Sequence, residues 1–332
     1  MPDEGDYSTE LEGTWGVDGT WIAPKLLIAG RKEEMEYMMK MGVFEVVDEK
    51  ECYDNGCKPL MLKWVDKMKG EKCRSRLVCR EIKRAKDRDE QLGPEDVFSP
   101  MPPSEGLKML VSTMMTGHDD GNHADGPFEM ATWDVSRAHF HGEARRWIYT
   151  YLPEGHEQKG KLARLCRSMY GTRDAASIWG DTWSDVLKDG SIKIGNACHA
   201  FFCSRDGDLK GLRHGDDFCV VARQQQLQTF GKVLEKRFEV KQTGHIGFSA
   251  SDAKELKILN RTTKVHWQND QMDLEDDTKL VEDVLKTMKL VGASGVESPR
   301  VRKREEQPAQ MESSEKLAPA ESTSYRSLVM HL

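Results

Sequence analysis

Gly211-Leu212-Arg213-His214-Gly215-Asp216-Asp217-Phe218-Cys219-Val220-Val221-Ala222 places two adjacent carboxylates inside an otherwise strand-like segment. Upstream, His199-Ala200-Phe201-Phe202-Cys203-Ser204 reads as a partner strand. Between them, Arg205-Asp206-Gly207-Asp208 reads as a turn, because Asp-Gly supplies the positive φ that a hairpin needs. Phe218 to Ala222 is a second apolar run of strand length. Asp216 and Asp217 are therefore expected at a tight bend, where Gly215 has no Cβ to clash. Two anions a few ångströms apart repel, and a proton or a cation must relieve them. An isolated Asp-Asp pair is most often a solvated acidic turn. A third carboxylate in a matching context changes that weighing.

The third carboxylate is Asp134. Pro127-Phe128-Glu129-Met130-Ala131-Thr132-Trp133-Asp134-Val135 reads as a strand ending in an acid, followed by a turn or short helix over Ser136–His141 and closed by Gly142. Two carboxylates can bridge a pair of Mg²⁺ ions about 3.5–4 Å apart. Mg²⁺ wants oxygen ligands and keeps several waters, so Asp134, Asp216 and Asp217 with the carbonyl of Val135 suffice as protein ligands. Their wide separation in the chain fits a sheet whose strands meet only on folding.

The chain has 332 residues, 38% hydrophobic and 32% charged, which is polar but long enough for two or three subdomains with a core. A net charge of −7 alone argues against nucleic acid as a partner. The distribution argues the other way. Between Lys63 and Arg88 lie Lys67, Lys69, Lys72, Arg74, Arg76, Arg80, Lys83, Arg84 and Lys86, opposed by Asp66, Glu71, Glu81 and Asp87. Leu60–Val65 and Ser75–Arg80 flank Lys69-Gly70-Glu71, which suggests a hairpin carrying this cluster, either as a solvated surface or as a phosphate-contacting sheet. The eight cysteines are scattered and read as free thiols of a reducing compartment. Cys52, Cys57, Cys73 and Cys79 lack the usual spacings of a zinc site. No apolar run approaches the ~18 residues needed to span a bilayer.

Elsewhere, helices are expected over Lys32–Met41, after Ser104, over Ala175–Leu187, along Leu227–Phe238 and after Thr278. Strands are expected over Val43–Val47 and Trp147–Leu152, with a final hairpin at Glu255–Leu259 and Lys264–Trp267. Glu239–Gly247 reads as a connector, and Gly117–Gly126 as a polar loop whose His118 and His123 are read as surface residues. The tail from Gly295 is rich in charge, Pro and Ser and reads as a linker.

Six blocks, in order, resemble the reverse transcriptase domain of copia-type LTR retrotransposon Pol polyproteins. Trp133 to Gly142 resembles the family's DVKNAFLHG motif, and Ile148 to Gly155 its VYMEQPPGF continuation. Leu165 to Trp179 resembles LKKALYGLKQAPRAWY, His214 to Phe218 the YVDD box, and Arg237 to Lys241 FEMKDLG. Lys63-Trp64-Val65 with Arg74 to Val78 resembles KWVFKxK…KARLVA. The resemblance implies an α+β, right-hand polymerase: fingers, palm and partial thumb, with a mainly antiparallel palm sheet flanked by helices. On that reading residues 1–42 are a poorly defined leader, 43–103 fingers, 104–142 the first palm part, and 143–171 a return to the fingers. Residues 172–268 are the second palm part, 269–294 the start of a thumb, and 295–332 a linker toward a missing RNase H region.

The same resemblance implies an RNA-directed DNA polymerase with two Mg²⁺ ions, or Mn²⁺, held by Asp134, Asp216 and Asp217. Its partners would be an RNA or DNA template with primer, dNTPs and other Pol-derived subunits, with no membrane. It would act inside the cell: in the cytoplasm, in a virus-like particle or in the nucleus. Arg74 and Arg76 are implied to meet the incoming triphosphate, His139 to occupy the sugar-sensing place, and Gly171 to let the backbone approach the nucleotide base pair. Lys63, Lys67, Lys69, Arg80 and His214 are candidate nucleic-acid contacts. The chain departs from the family at His214 and His139, where aromatics are usual, and at Asp174 and Ala176, which replace Gln and Pro. Asp174 is expected to put a negative charge near template or nucleotide. Two other readings remain: a non-catalytic remnant that keeps the fold, and a metal-dependent nuclease using His139 or His141 beside the same acids.

Overall fold

The strand-length segments 128–135 and 217–223 are buried on both faces, one carrying Trp133 and Phe218 and the other Met130 and Val221, and the rest of the fold is arranged on them. The structure, a computed structural model, describes residues 13–82, 92–116, 126–153, 155–259, 261–269, 271–275 and 278–294, with Ala318, Ser322, Thr323 and Arg326. The basic residues Lys83, Arg84, Lys86 and Arg88, the histidines His118 and His123, and the proposed linker from 295 onward lie outside the described residues, apart from those last four positions. The chain divides after Ala253 into two compact units.

In the first unit the elements run β1 (Thr14–Trp15), β2 (Trp21–Ile22), α1 (Pro24–Met41), β3 (Phe44–Asp48), α2 (Glu49–Asp54), β4 (Leu62–Lys69) and β5 (Lys72–Cys79). There follow α3 (Ser104–Thr116), β6 (Phe128–Val135), β7 (Tyr149–Thr150), β8 (Lys161–Leu165), α4 (Ala175–Asp189) and β9 (Ile192–Ile194). The unit closes with β10 (Phe201–Ser204), β11 (Lys210–His214), β12 (Asp217–Arg223), α5 (Gln224–Glu235) and β13 (Val240–Ile246). Short 3₁₀ turns occupy Glu95–Val97 and Ala138–His141. The second unit contains β14 (Glu255–Ile258), β15 (Arg261–His266), β16 (Gln271–Glu275) and α6 (Thr278–Thr287).

A six-stranded antiparallel sheet of order β13-β6-β12-β11-β10-β9 is the largest layer. One face presents Ala131, Trp133 and Val135 from β6 with Phe218, Val220 and Ala222 from β12. Trp179, Trp183 and Leu187 of α4 and Leu227, Phe230 and Leu234 of α5 close over that face. Ring contacts there are dense: Trp133 to Phe230 at 5.2 Å and Phe202 stacked on Phe230 at 5.5 Å. Helix α3 lies on the opposite face, where Gly106 comes so close that a Cβ would meet the Phe201 ring at 2.6 Å. Segments far apart in sequence also combine as β3-β8-β7, which joins 44–48 to 149–165.

Several sequence expectations need correction. Residues 24–41, inside the expected leader, form an 18-residue helix that starts at Pro24. No side-chain cap marks its start, so only Pro at the first position could have signalled it. The expected connector 239–247 contains β13, an edge strand with a bulge at Gln242/Gly244. Its side chains are mostly solvated, so it shows no apolar alternation. The strand at 147–152 shrinks to Tyr149–Thr150, and the final hairpin gains a third strand, β16, within residues expected to begin the thumb. The expected bend at Asp216-Asp217 is Gly215-Asp216, with Asp217 already in β12.

Candidate active site

The β11–β12 hairpin turns through two residues, with His214 paired to Asp217 across it. Gly215 has φ 66° and Asp216 stays out of the left-handed region, which is the type II′ pattern. Next to it, Asp217 is directly opposite Asp134 on the β6–β12 ladder. The Val135 amide donates to the Asp216 carbonyl at 3.2 Å, which makes Asp134 and Asp217 a non-hydrogen-bonded pair. Such pairs bring side chains closest, with Cα atoms roughly 4.5 Å apart. Alternation puts both acids on the face away from the aromatic core, and Asp216 sits in the adjoining turn.

The electrostatics follow from this crowding. Burial first, then repulsion from Asp216 and Asp134, pushes the Asp217 carboxyl up to about 6. Burial and then Asp216 also raise Asp134, while Arg74, Lys69 and Arg76 pull it back. Among the described residues no three His, Cys, Asp and Glu side chains form a ready metal cage. A hard cation does not need one, because Mg²⁺ is commonly held by one or two carboxylates plus water and phosphate oxygens. Excess negative charge on opposed carboxylates fits such an ion. All eight cysteines are free, and Cys52, Cys73, Cys79 and Cys219 are buried.

The compensating cations come from β4–β5. Register pairs Lys67 with Arg74, Val65 with Arg76, Lys63 with Val78, and Lys69 with Lys72, so these share one face. The other face pairs Trp64 with Leu77, Met68 with Cys73 and Asp66 with Ser75, and it is the buried one. Helix α1 closes that buried face: Arg31 bonds Asp66 at 3.0 Å, and a Cβ at Gly30 would meet the Cys73 carbonyl oxygen at 2.6 Å. Lys63, Lys67, Lys69 and Arg74 are exposed, and Arg80 follows the strand, also exposed.

Beside Asp216 lies a cavity of about 540 Å³ lined by Arg76, Phe98, Ser99, His139, Tyr170, Trp179 and Arg213 among others. The Arg76 guanidinium sits 4.8 Å over the Tyr170 ring, and His139 meets that ring edge-on at 5.0 Å. His139 Nδ1 lies 3.2 Å from the Ala175 carbonyl, so it carries the proton and donates. Burial lowers the His139 pKa, keeping the ring neutral near pH 7.

Comparison with known proteins adds the family. The family model described as reverse transcriptase (RNA-dependent DNA polymerase) matches residues 42–299, well over half the chain. The chain belongs to that reverse transcriptase family. A retrovirus-related Pol polyprotein from transposon TNT 1-94 of Nicotiana tabacum is 26% identical over 287 residues, covering 82% of this chain and 20% of that protein. This chain therefore spans about a fifth of that curated relative, and the copia-type resemblance of the sequence agrees with it. Among solved structures, an apo telomerase from Candida tropicalis truncated from its C-terminal domain aligns with a TM-score of 0.44 at 10% identity, over 79% of this chain and 63% of that one. Candida albicans telomerase in complex with a telomeric RNA fragment gives 0.42 at 9% identity, over 74% and 49%. Likeness at that level carries no functional argument.

Two residues of the reverse transcriptase chain have environments that differ from those expected. Gly171, at φ 83°, packs against β5, and a Cβ there would collide with the Cys79 carbonyl oxygen and the Val78 side chain. Close approach to β5 requires a glycine at this position. Asp174 is buried and ion-paired to Arg146 at 2.9 Å, and the same guanidinium bonds Glu81. Its charge is absorbed inside the protein and is not presented to a template. Two residues not foreseen hold the turn: Trp179 Nε1 and Arg213 each donate to the Gly215 carbonyl at 2.8 Å. The available signal was weak: Arg213 sits in Lys210–His214, where only Leu212 is apolar, directly before the Gly-Asp turn. Among the described residues no helix is long and apolar enough to cross a membrane.

Proposed function

We propose that this chain is the polymerase portion of a copia-type Pol polyprotein and transfers nucleotides from dNTPs to a primer 3′-hydroxyl on an RNA or DNA template. The observation that carries the reading is the Asp134–Asp217 pair opposed on one ladder, with Asp216 in the next turn and a cationic sheet face acting on it. Asp134, Asp216 and Asp217, with the Val135 carbonyl, would hold two Mg²⁺ ions. When bound, that pair lowers the pKa of the attacking hydroxyl and neutralises the triphosphate and leaving pyrophosphate. Arg74 and Arg76 would bind the triphosphate through charge-assisted hydrogen bonds, and Tyr170 orients Arg76 by stacking. His139, neutral and fixed by the Ala175 carbonyl, would border the sugar. Lys63, Lys67, Lys69, Arg80 and His214 would contact the strands as point charges rather than through base edges.

In this reading the six-stranded sheet with α3, α4 and α5 is the palm. The β3-β8-β7 sheet and the β4–β5 hairpin are fingers, and α6 begins a thumb. The setting would be intracellular, with other Pol segments as partners. Primer extension with Mg²⁺ and all four dNTPs tests it, on RNA and DNA templates and with Asp217→Asn as control. Incorporation abolished in the control supports the polymerase. Template binding without incorporation identifies a non-catalytic remnant, and template cleavage a nuclease.

A further inference from the structure

We propose that Arg213 is a positioning residue that locks the acid-bearing turn in one peptide orientation and ties it to the wall of the adjoining pocket. The inference rests on the polymerase reading of the acids, but its geometry does not. Register pairs Arg213 with Phe218, so its side chain enters the aromatic face and not the acid face. It is 1% exposed, and its guanidinium lies 5.2 Å over the Trp183 ring. Among the described residues it forms no ion pair with a carboxylate, and its Nε has no hydrogen-bond partner. Burial draws its pKa down to about 10, against the field of Asp216.

A charge held this way is costly, and leucine or methionine would fill the same volume more cheaply. What the guanidinium does instead is connect. One terminal nitrogen donates to the Gly215 carbonyl at 2.8 Å. The other donates to Ser99 Oγ at 3.0 Å and to the Pro100 carbonyl at 3.1 Å, in the loop that borders the pocket beside Asp216. The Gly215 carbonyl belongs to the central peptide of the two-residue turn. Types I′ and II′ differ by rotation of that peptide, which in type I′ gives the second residue a positive φ. Asp tolerates that conformation better than most residues, so the sequence Gly-Asp does not itself forbid the flip. Two donors on one carbonyl, Trp179 and Arg213, do. Holding that peptide fixes where the chain leaves Gly215 and hence where the Asp216 and Asp217 carboxylates stand.

The test uses the full chain and needs no turnover. Arg213→Lys keeps the charge and most of the stem, so a loss there reports geometry rather than electrostatics. Arg213→Met removes both, and Trp179→Phe removes the other donor alone. Mn²⁺ binding is titrated by water-proton relaxation, and amide exchange is followed over 97–101 and 211–219 against α4 and α5. We expect the Arg213→Lys dissociation constant for Mn²⁺ to rise at least fivefold. Exchange should quicken about tenfold in those two segments only, with Trp179→Phe shifted less in the same direction. Primer–template affinity should stay within twofold while the rate of extension falls. If Arg213→Lys and Trp179→Phe both bind Mn²⁺ and exchange within twofold of the unaltered protein, the proposal is overturned. If Asp134→Asn and Asp217→Asn also leave Mn²⁺ binding unchanged, the polymerase reading falls with it. Loss in those two variants alone overturns only the role of Arg213.

Discussion

The hairpins β11–β12 and β4–β5 carry opposite charge and are built to opposite tolerances. Each turns through two residues beginning with a left-handed glycine, Gly215 at φ 66° and Gly70 at φ 63°. On β11–β12 the charges sit at one end, between neighbouring strands β6 and β10, with the turn carbonyl held by two donors. On β4–β5 the charges spread along one face of eight paired residues, in a sheet of only two strands. In the proposed function a pair of divalent ions would need closely fixed ligands, and the two donors on the turn carbonyl supply that rigidity. An extended polyanion offers many equivalent phosphates, so a cationic face set by alternation alone is enough.

The comparison is broken most severely at the acids. Asp217→Asn is nearly isosteric and keeps the β6–β12 ladder. Extension should nevertheless fall at least a thousand-fold, roughly 4 kcal/mol of barrier, with primer–template affinity preserved or slightly improved by the loss of a negative charge. Retention of more than a tenth of the rate would remove Asp217 from the chemistry. On the other hairpin, Arg76→Ala should cost less. It removes the stack on Tyr170 and, in the proposed function, the triphosphate contact, so the dNTP KM should rise about tenfold, with a smaller change in kcat. An equal loss in kcat at unchanged KM would place Arg76 among the transition-state contacts instead.

How much of this was legible in the sequence depended on local periodicity. Asp134 and Asp217 were readable because each ends or begins a strand-length apolar run, and the strands must pair for either run to be buried. The basic face was readable from period two: Arg74 and Arg76 are two apart on one strand. Strand β13 was not, because Val240-Lys241-Gln242-Thr243-Gly244-His245-Ile246 at the sheet edge buries mainly Ile246, and its pairing with β6 is backbone only apart from contacts such as Thr132 to Thr243 at 2.9 Å. The first half of α1 was hidden because its fixed points are long-range: Leu27 packs against Ile22 and Cys73, and Arg31 is paired with Asp66 at 3.0 Å, 35 residues away. Asp174 was misread on the same ground, since its partner Arg146 is distant in sequence. Arg213 shows the limit most clearly, because nothing near it in the chain announces Ser99 or Pro100.

A pH titration sharpens the acid side with a smaller signal. In the unfolded chain Asp217 titrates near about 4, while in the folded protein its carboxyl is pushed up to about 6. Between those values the folded state keeps a proton that the unfolded state has lost. Metal-free stability should therefore fall as pH rises through that window and level off above it. Denaturant midpoints at half-unit steps should show the decline, and Asp217→Asn should flatten it. A slope of the opposite sign would mean that the acids are already neutralised by the basic face.

The two turn glycines give the finest test, because their surroundings are matched. A Cβ at Gly70 or at Gly215 would meet nothing within 4 Å, so neither substitution creates a clash. The cost in both is the left-handed backbone alone, about 1–2 kcal/mol for an ordinary L-residue. Gly70→Ala and Gly215→Ala should accordingly lower Tm by similar amounts. Their effects on extension should diverge. Strain at Gly70 is released into a hairpin whose long cationic side chains would, in the proposed function, reach flexible phosphates, so the rate should change less than twofold. Strain at Gly215 is released into the peptide that carries the acids, against two fixed donors, so the rate should drop several-fold beyond any loss of folded protein. If Gly70→Ala slowed extension as much as Gly215→Ala, the basic hairpin would be as position-sensitive as the acid turn. The difference in tolerance between the two hairpins would then lie in something other than how their charges are held.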